Sequence, residues 1–165
     1  AIPKFTYGIT INLEYKGFDF TAFGTGVAGN KIFNILYRAD SPLRNSLRYY
    51  MDNAWTPENK GASMPAPSQV ATDLNFWGSS ASMFNGSYFK IKQLQLGYTL
   101  PKRLTQKVAI KDLRFFVSLD DFFTFSNYPG MDPETATTGN NGGAGFDIGS
   151  YPTMKKCSFG ASFSF

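Results

Sequence analysis

The 165-residue sequence contains no histidine and only one cysteine, Cys157. Without histidine, this stretch cannot supply the base of a Ser–His or Cys–His catalytic pair, and it lacks the usual nitrogen and sulfur ligands of zinc. A single cysteine can form no disulfide within the chain. The commonest hydrolase and structural zinc sites are therefore excluded from this stretch.

Long apolar runs are also missing, because no segment reaches the roughly 18 consecutive apolar residues of a membrane-spanning helix. Charged residues make up only 17% of the chain, whereas aromatic residues also reach 17%. The net charge of +4 does not favour a nucleic-acid partner, because the Lys and Arg are dispersed apart from a loose group at 102–111. The start, Ala1-Ile2-Pro3-Lys4, lacks the apolar run of a secretion signal, so we expect any targeting segment upstream.

Strict alternation marks the first strand. Aromatic and aliphatic side chains occupy the odd positions from Phe5 to Tyr15, while small or polar residues occupy the even ones. This period of two predicts a β-strand whose two faces have different surroundings. Its length matches the roughly 9–11 residues that a tilted strand needs to cross a bilayer.

The same reasoning predicts five strands separated alternately by short turns and long loops. The strands cover about 5–15, 18–28, 84–98, 113–125 and 151–165, with turns at 16–17 and 99–112 and long loops at 29–83 and 126–150. Within these connections, short helical pieces are expected at 43–52 and 102–107. Apolar residues change parity within 84–98, which predicts either a bulge there or a strand that projects beyond the membrane before it enters the apolar band. We therefore predict an all-β fold, a transmembrane antiparallel β-barrel, with the turns on the periplasmic side and the long loops extracellular.

Five strands cannot close such a barrel, because bacterial single-chain examples have eight or more. The remaining strands are expected to come from elsewhere. Alternation in the last predicted strand puts Cys157, Phe159, Phe163 and Phe165 on one face. In a soluble protein these exposed rings would invite aggregation, whereas lipid accommodates them.

Several blocks, in order along the chain, resemble the C-terminal part of the SusC/RagA-like TonB-dependent outer-membrane transporters of Bacteroidetes. They are Pro3-Lys4-Phe5-Thr6-Tyr7-Gly8, Trp55-Thr56-Pro57-Glu58-Asn59, Gly86-Ser87-Tyr88-Phe89-Lys90-Ile91-Lys92, Leu96-Gly97-Tyr98-Thr99-Leu100-Pro101, Tyr128-Pro129-Gly130-Met131-Asp132-Pro133-Glu134, Tyr151-Pro152 and Phe165. Departures are small. Asp121 stands where the family more often has Asn, and Lys90 and Lys155 or Lys156 stand where it favours Arg.

The resemblance implies the last five strands of a plugged barrel of about 22 strands in the outer membrane of a Gram-negative bacterium. The plug and N-terminal regions would lie outside this sequence. It implies TonB-dependent import of oligosaccharides or peptides, without catalysis. The implied partners are a SusD-like surface lipoprotein lid, TonB through the absent N-terminal portion, outer-membrane lipids, the remainder of the barrel and a second transporter–lid pair.

Three groups of residues are candidates for function. Tyr49, Tyr50, Trp55 and Trp77 in the first long loop are candidate lid or substrate contacts, against the alternative that they pack the loop onto the barrel rim. The resemblance implies that Phe159, Phe163 and Phe165 carry the signal read by the barrel-assembly machinery. We expect no cofactor, although oxygens of Asp132, Glu134 and Asp147 could take Ca²⁺ in the full complex.

Two other classes of protein remain open at this point. One is a secreted or cell-surface all-β binding module, a sandwich with long loops and no transport activity. The other is a barrel enzyme with a protease or lipase activity. Asp120 and Asp121 are adjacent carboxylates, but neighbours in a strand point to opposite faces, so an ion pair or strand-end role is expected for them.

Overall fold

The structure, a computed structural model, describes residues 2–35, 47–66, 79–105, 110–138 and 143–165. In chain order the elements are β1 (Phe5–Tyr15), β2 (Phe18–Ala28), β3 (Lys31–Asn34), α1 (Arg48–Asp52), a 3-10 helix (Ser80–Ser82), β4 (Met83–Asn85), β5 (Tyr88–Thr99), α2 (Lys102–Thr105), β6 (Asp112–Ser126), α3 (Pro133–Thr138), β7 (Phe146–Asp147) and β8 (Lys156–Ser164). Within the described residues, no helix has the length and apolar character needed to cross a membrane.

Two compact units are present, and each is described by itself. The strand unit comprises Thr6–Val27, Tyr88–Phe125 and Thr153–Phe165, and the loop unit comprises Ala1–Phe5, Ala28–Ser87 and Ser126–Pro152. The strand unit is one sheet in the order β1-β2-β5-β6-β8, with antiparallel pairing between β2 and β5 and between β6 and β8. The two-residue turn at Lys16-Gly17 joins β1 to β2 with both residues at positive φ, as the twist of a tight hairpin requires.

The two faces of this sheet differ in chemistry, as the alternation predicts. On β1 the large odd-numbered side chains, which define the apolar face, are between 42% and 69% exposed. The even-numbered positions define the polar face, where Thr21 Oγ1 of β2 donates to Asn12 Oδ1 at 3.0 Å. Both sides of β1 are exposed along the whole strand. A sandwich buries one face of each of its strands, so it is the wrong architecture for this sheet.

Aromatic rings lie at both ends of the apolar face, with aliphatic side chains between them. At one end the Phe89 ring stacks on Tyr7 at 6.0 Å and on Phe125 at 6.5 Å between centroids. At the other end Phe18 and Tyr98 lie 4.5 Å apart. The eight steps between Tyr7 and Tyr15 extend about 27 Å along the strand. Two aromatic rows separated by such an apolar band are the pattern of a strand wall in a bilayer.

The parity change predicted in the third strand is a β-bulge. Phe23 faces Gln93 and Gly24 faces Ile91, so Lys92 is the extra residue. Two predicted strand boundaries are wrong. The strand predicted over 84–98 is split into β4 and β5, because the side chain of Asn85 accepts from the amide of Ser87 at 3.0 Å and turns the chain.

The last strand begins five residues later than predicted, at Lys156 instead of 151. Pro152 has no amide hydrogen to donate to a sheet, and the hydroxyl of Thr153 bonds to a lysine side chain. The segment before β8 is thus held by side-chain contacts that alternation alone does not reveal.

The loop unit is more ordered than its sequence predicts. A small sheet has the order β4-β3-β7, in which β3 pairs with β4 antiparallel and with β7 parallel. Both β3 and β7 lie in segments that were predicted to be irregular loops. Ile32, Tyr128 and Ala136 form its buried core, with Phe84 packed against them. The helix expected over 43–52 occupies Arg48–Asp52, and 43–46 lie outside the described residues. Strands of two to four residues are too short for a period of two to be recognised.

Candidate functional site

The polar face of the strand unit carries a bidentate ion pair that crosses β5. Arg114 Nε donates to Asp19 Oδ2 at 2.8 Å, and Arg114 Nη2 donates to Asp19 Oδ1 at 2.5 Å. Gly97 lies beneath the pair, and a Cβ there would collide with both side chains. This glycine therefore leaves the space that lets residues on β2 and β6 meet. The pairing joins positions 95 residues apart, which is why alternation could not reveal it.

A second ion pair lies where two backbone irregularities meet. Lys92, the bulge residue of β5, donates from Nζ to Asp121 Oδ1 at 2.9 Å. Asp121 has a φ of 53°, a left-handed conformation that Asp and Asn tolerate better than other residues with a side chain. The neighbouring Asp120 accepts from Ser118 Oγ at 2.9 Å. The two adjacent carboxylates thus have separate partners, and this arrangement does not form an acid–base pair.

Tyr49 and Tyr50 lie within an aromatic cluster of the loop unit. The Phe84 ring is 5.3 Å from Tyr49 and 6.0 Å from Tyr50, and it also meets Tyr128 at 6.2 Å. Tyr50 is only 7% exposed, and this burial raises its pKa to about 12. Both rings therefore help pack the loop unit, and a buried Tyr50 has little surface to offer a ligand.

Trp55 is placed differently from these tyrosines, because its indole is 43% exposed. The peptide group that precedes it is nevertheless held by two hydrogen bonds. The Trp55 amide donates to the Met64 carbonyl at 2.9 Å, and the Asn59 side chain donates to the Ala54 carbonyl at 3.3 Å. A large ring on a rigid, solvent-facing loop is the arrangement found at contact hot spots. Trp77, the other tryptophan predicted to contact a ligand, lies outside the described residues.

A buried polar network in the loop unit escaped the sequence reasoning. Asn34 Nδ2 donates to the Tyr128 hydroxyl at 2.8 Å, and this hydroxyl donates to Asp147 Oδ2 at 2.6 Å. All three side chains are buried. Burial and the neighbouring Asp147 carboxylate raise the pKa of Tyr128, so it remains a protonated donor at neutral pH. The network connects β3 and β7 to the segment that contains Tyr128. In the sequence, this segment stood out because the block from Tyr128 to Glu134 resembles the family.

Two of the three carboxylates considered for Ca²⁺ have structural roles. Asp132 caps α3 by accepting from the Glu134 amide at 3.0 Å. Asp147 accepts from Tyr128 and from the Gly149 amide at 3.0 Å. Across the described ranges, no three His, Cys, Asp or Glu side chains lie close enough together to hold a metal ion.

Of the three rings proposed for barrel assembly, Phe159 and Phe163 lie on one face of β8, and Phe165 follows the strand with its ring 5.5 Å from that of Phe163. Phe159, Phe163 and Phe165 are 83%, 60% and 83% exposed. Phe159 faces Val117 and Phe163 faces Leu113, so these rings continue the apolar face of the sheet. Cys157 lies on the same side, opposite Leu119, and is exposed.

Comparison with known proteins finds relatives over nearly the whole chain. This chain is 33% identical over 169 residues to TonB-dependent receptor P3 of Formosa agariphila, and the match covers 99% of this chain and 16% of the relative. TonB-dependent receptor P26 of the same organism is 27% identical, with 99% and 17% covered. The chain thus spans about a sixth of the length of the curated relatives it matches. No family model matches.

Solved structures give the same fold. The RagAB peptide importer in its closed-closed state superposes with a TM-score of 0.74 at 24% identity, over 99% of this chain and 17% of that chain. Its open-open state gives a TM-score of 0.70 at 24% identity, again over 99% and 17%. At this identity the likeness concerns the fold alone.

Proposed function

Because its curated relatives are TonB-dependent receptors, we propose that this chain is a piece of a SusC/RagA-like outer-membrane importer and forms part of its barrel wall and extracellular loops. The observation that carries the proposal is the division of the strand unit into an apolar face with aromatic ends and a polar face with ion pairs. Such a division suits a wall with lipid on one side and a water-filled interior on the other.

The sidedness follows from the lengths of the connections. Outer-membrane barrels have short periplasmic turns and longer extracellular loops. The turn at Lys16-Gly17 and the connection containing α2 accordingly face the periplasm in this proposal. The segments of the loop unit, which include Trp55, then face the outside. We assign TonB contact to parts of the protein beyond these residues.

A SusD-like surface lipoprotein is the partner proposed for the extracellular side. Among the candidate contact residues that the structure describes, Trp55 is the best suited to touch it, because the ring is exposed and the peptide group before it is held by hydrogen bonds. A buried aromatic anchor typically dominates the binding energy of an interface. Exchange of the cargo between lid and barrel then needs no bond making or breaking.

The cargo is proposed to be an oligosaccharide or a peptide. A peptide is favoured by the name of the structural relative, a peptide importer, and a sugar by the exposed indole, which can stack on a sugar ring. The test is uptake by cells that carry the full-length protein, its lid and TonB. A fluorescent peptide mixture and a fluorescent oligosaccharide mixture are supplied in parallel.

We expect one mixture, and only one, to be depleted from the medium, and we expect depletion to stop when TonB is removed. Cells lacking the importer provide the baseline for both mixtures. Depletion of neither mixture, or depletion that continues without TonB, would contradict the proposed import.

The barrel-assembly role of β8 gives a separate prediction. Phe165→Ala is expected to lower the yield of assembled barrel in outer membranes several-fold, because the last ring of the apolar face is lost. Phe115→Ala is the matched control, since Phe115 is also an exposed ring on that face but lies on β6. Equal yields for the two variants, measured as folded protein in membrane fractions, would remove the signal function from Phe165.

A further inference from the structure

Lys90 is buried at a place where a lysine would ordinarily be open to solvent. It lies opposite Thr25 in the register of β2 and β5, on the polar face. A single sheet leaves that face uncovered, yet Lys90 is only 1% exposed. Full burial of a lysine is rare without a polar partner. A further segment of chain must therefore lie over this part of the polar face.

Residues 153–155, just before β8, supply such a segment. Lys90 Nζ donates to Thr153 Oγ1 at 2.6 Å. Since β6 lies between β5 and β8 in the sheet, this bond reaches across the polar side of β6. A second contact lies beside it, because Lys155 Nζ is 5.4 Å from the centroid of the Phe122 ring on β6. These two lysine contacts hold the segment against β5 and β6 of the sheet.

We propose that residues 153–155, which we name the inner strap, narrow the passage on this side of the barrel and so limit the size of what can pass. The inference rests on the proposed function, because only a barrel wall gives the polar face an interior. Lys90 is the positioning residue. Its hydrogen bond holds the strap against the wall, while Met154 stays 62% exposed at the surface of the strap.

The strap is tested by labelling a cysteine with reagents of two sizes. The full-length protein, in open outer-membrane fragments and in a Cys157→Ser background, carries Met154→Cys. A small sulfonated maleimide and a maleimide attached to a polyethylene glycol chain are the probes. The bulky reagent should react much more slowly than the small one, because the narrowed passage in front of the exposed side chain at 154 leaves little room for a polymer chain.

Removing the anchor should release the strap. Lys90→Met keeps the length of the side chain but loses its donors, and it should raise the rate with the bulky reagent about tenfold, the scale of a hydrogen bond from a charged donor. Thr153→Val removes the acceptor and should act in the same way. Lys90→Arg retains a donor and should keep the slow rate. Unchanged rates in both Lys90→Met and Thr153→Val would overturn the strap.

Two reference cysteines separate failure of the strap from failure of the proposed function. Gln95→Cys lies on the polar face and Phe159→Cys on the apolar face of the sheet. With the small reagent, the first should react readily and the second hardly at all, because lipid covers it. Equal reaction at both positions would contradict the membrane wall itself. If these two cysteines reacted differently but Lys90→Met left the labelling rate at position 154 unchanged, only the proposal of the inner strap would be contradicted.

Discussion

Replacement of Ile11 by arginine is expected to destabilise the assembled barrel by about 2–4 kcal/mol, the cost of a cation on the lipid face near the bilayer midplane. Ile11 lies midway between the aromatic positions Tyr7 and Tyr15, and its side chain is 46% exposed on the apolar face. Arginine at this depth can reach water only by distorting the bilayer. The free energy of unfolding, measured for the full-length protein refolded into lipid vesicles, gives the loss directly.

Asn12→Arg is the matched control for this substitution. Asn12 is the next residue of β1 and lies on the polar face, where it accepts a hydrogen bond from Thr21. An arginine there would enter a wet interior, so only a small loss of stability is expected. Similar losses for the two variants would mean that the faces of β1 do not have different surroundings.

Ile32→Ala is expected to lower the stability of the loop unit by about 2–5 kcal/mol, the range for truncating a fully buried aliphatic side chain. Ile32 is 0% exposed and forms the core with Tyr128 and Ala136. Loss of its methyl and methylene groups leaves a cavity that short strands cannot easily close. Hydrogen exchange should report faster opening of the β3 amides, while exchange in β1 stays unchanged.

Met83→Ala provides the comparison for this second variant. Met83 pairs with Phe33 in the same small sheet but is 47% exposed, so its truncation should cost little. If Ile32→Ala exchanged no faster than Met83→Ala, the loop unit would lack the packed core described above. Such a result would leave the strand unit untouched, since the effect is confined to the loop unit.

Much of the strand unit could be predicted from the sequence. The period of two along β1 requires only that odd and even side chains meet different surroundings, and that requirement is local. The bulge was predictable for the same reason, because an extra residue at Lys92 changes the parity of the apolar positions after it. Local chemistry therefore placed the strands and assigned their faces.

Contacts between distant residues were not predictable in this way. The Arg114–Asp19 pair depends on Gly97 lying between two strands that are far apart in sequence. The Tyr128 network likewise joins Asn34 to Asp147, although no local sequence pattern around either residue indicates that the two are connected. Both depend on the register of strands, which a single sequence leaves open.

The loop residues show the same limit for predicting which side chains can contact a partner or substrate. Tyr50 and Trp55 looked equivalent as aromatic residues of one long loop. The structure buries the first in an aromatic cluster and exposes the second on a fixed backbone. Composition identified aromatic candidates, whereas packing decided which of them has surface to offer.

Accessibility along β1 tests the central claim most directly. Spin labels placed singly at each residue from Phe5 to Tyr15 of the full-length protein in lipid vesicles report collisions with oxygen, which enters hydrocarbon, and with a water-soluble nickel complex. We predict that oxygen collisions peak at the odd positions and nickel collisions at the even positions, with a period of two. The same accessibility at odd and even positions would contradict a wall with lipid on one side and water on the other.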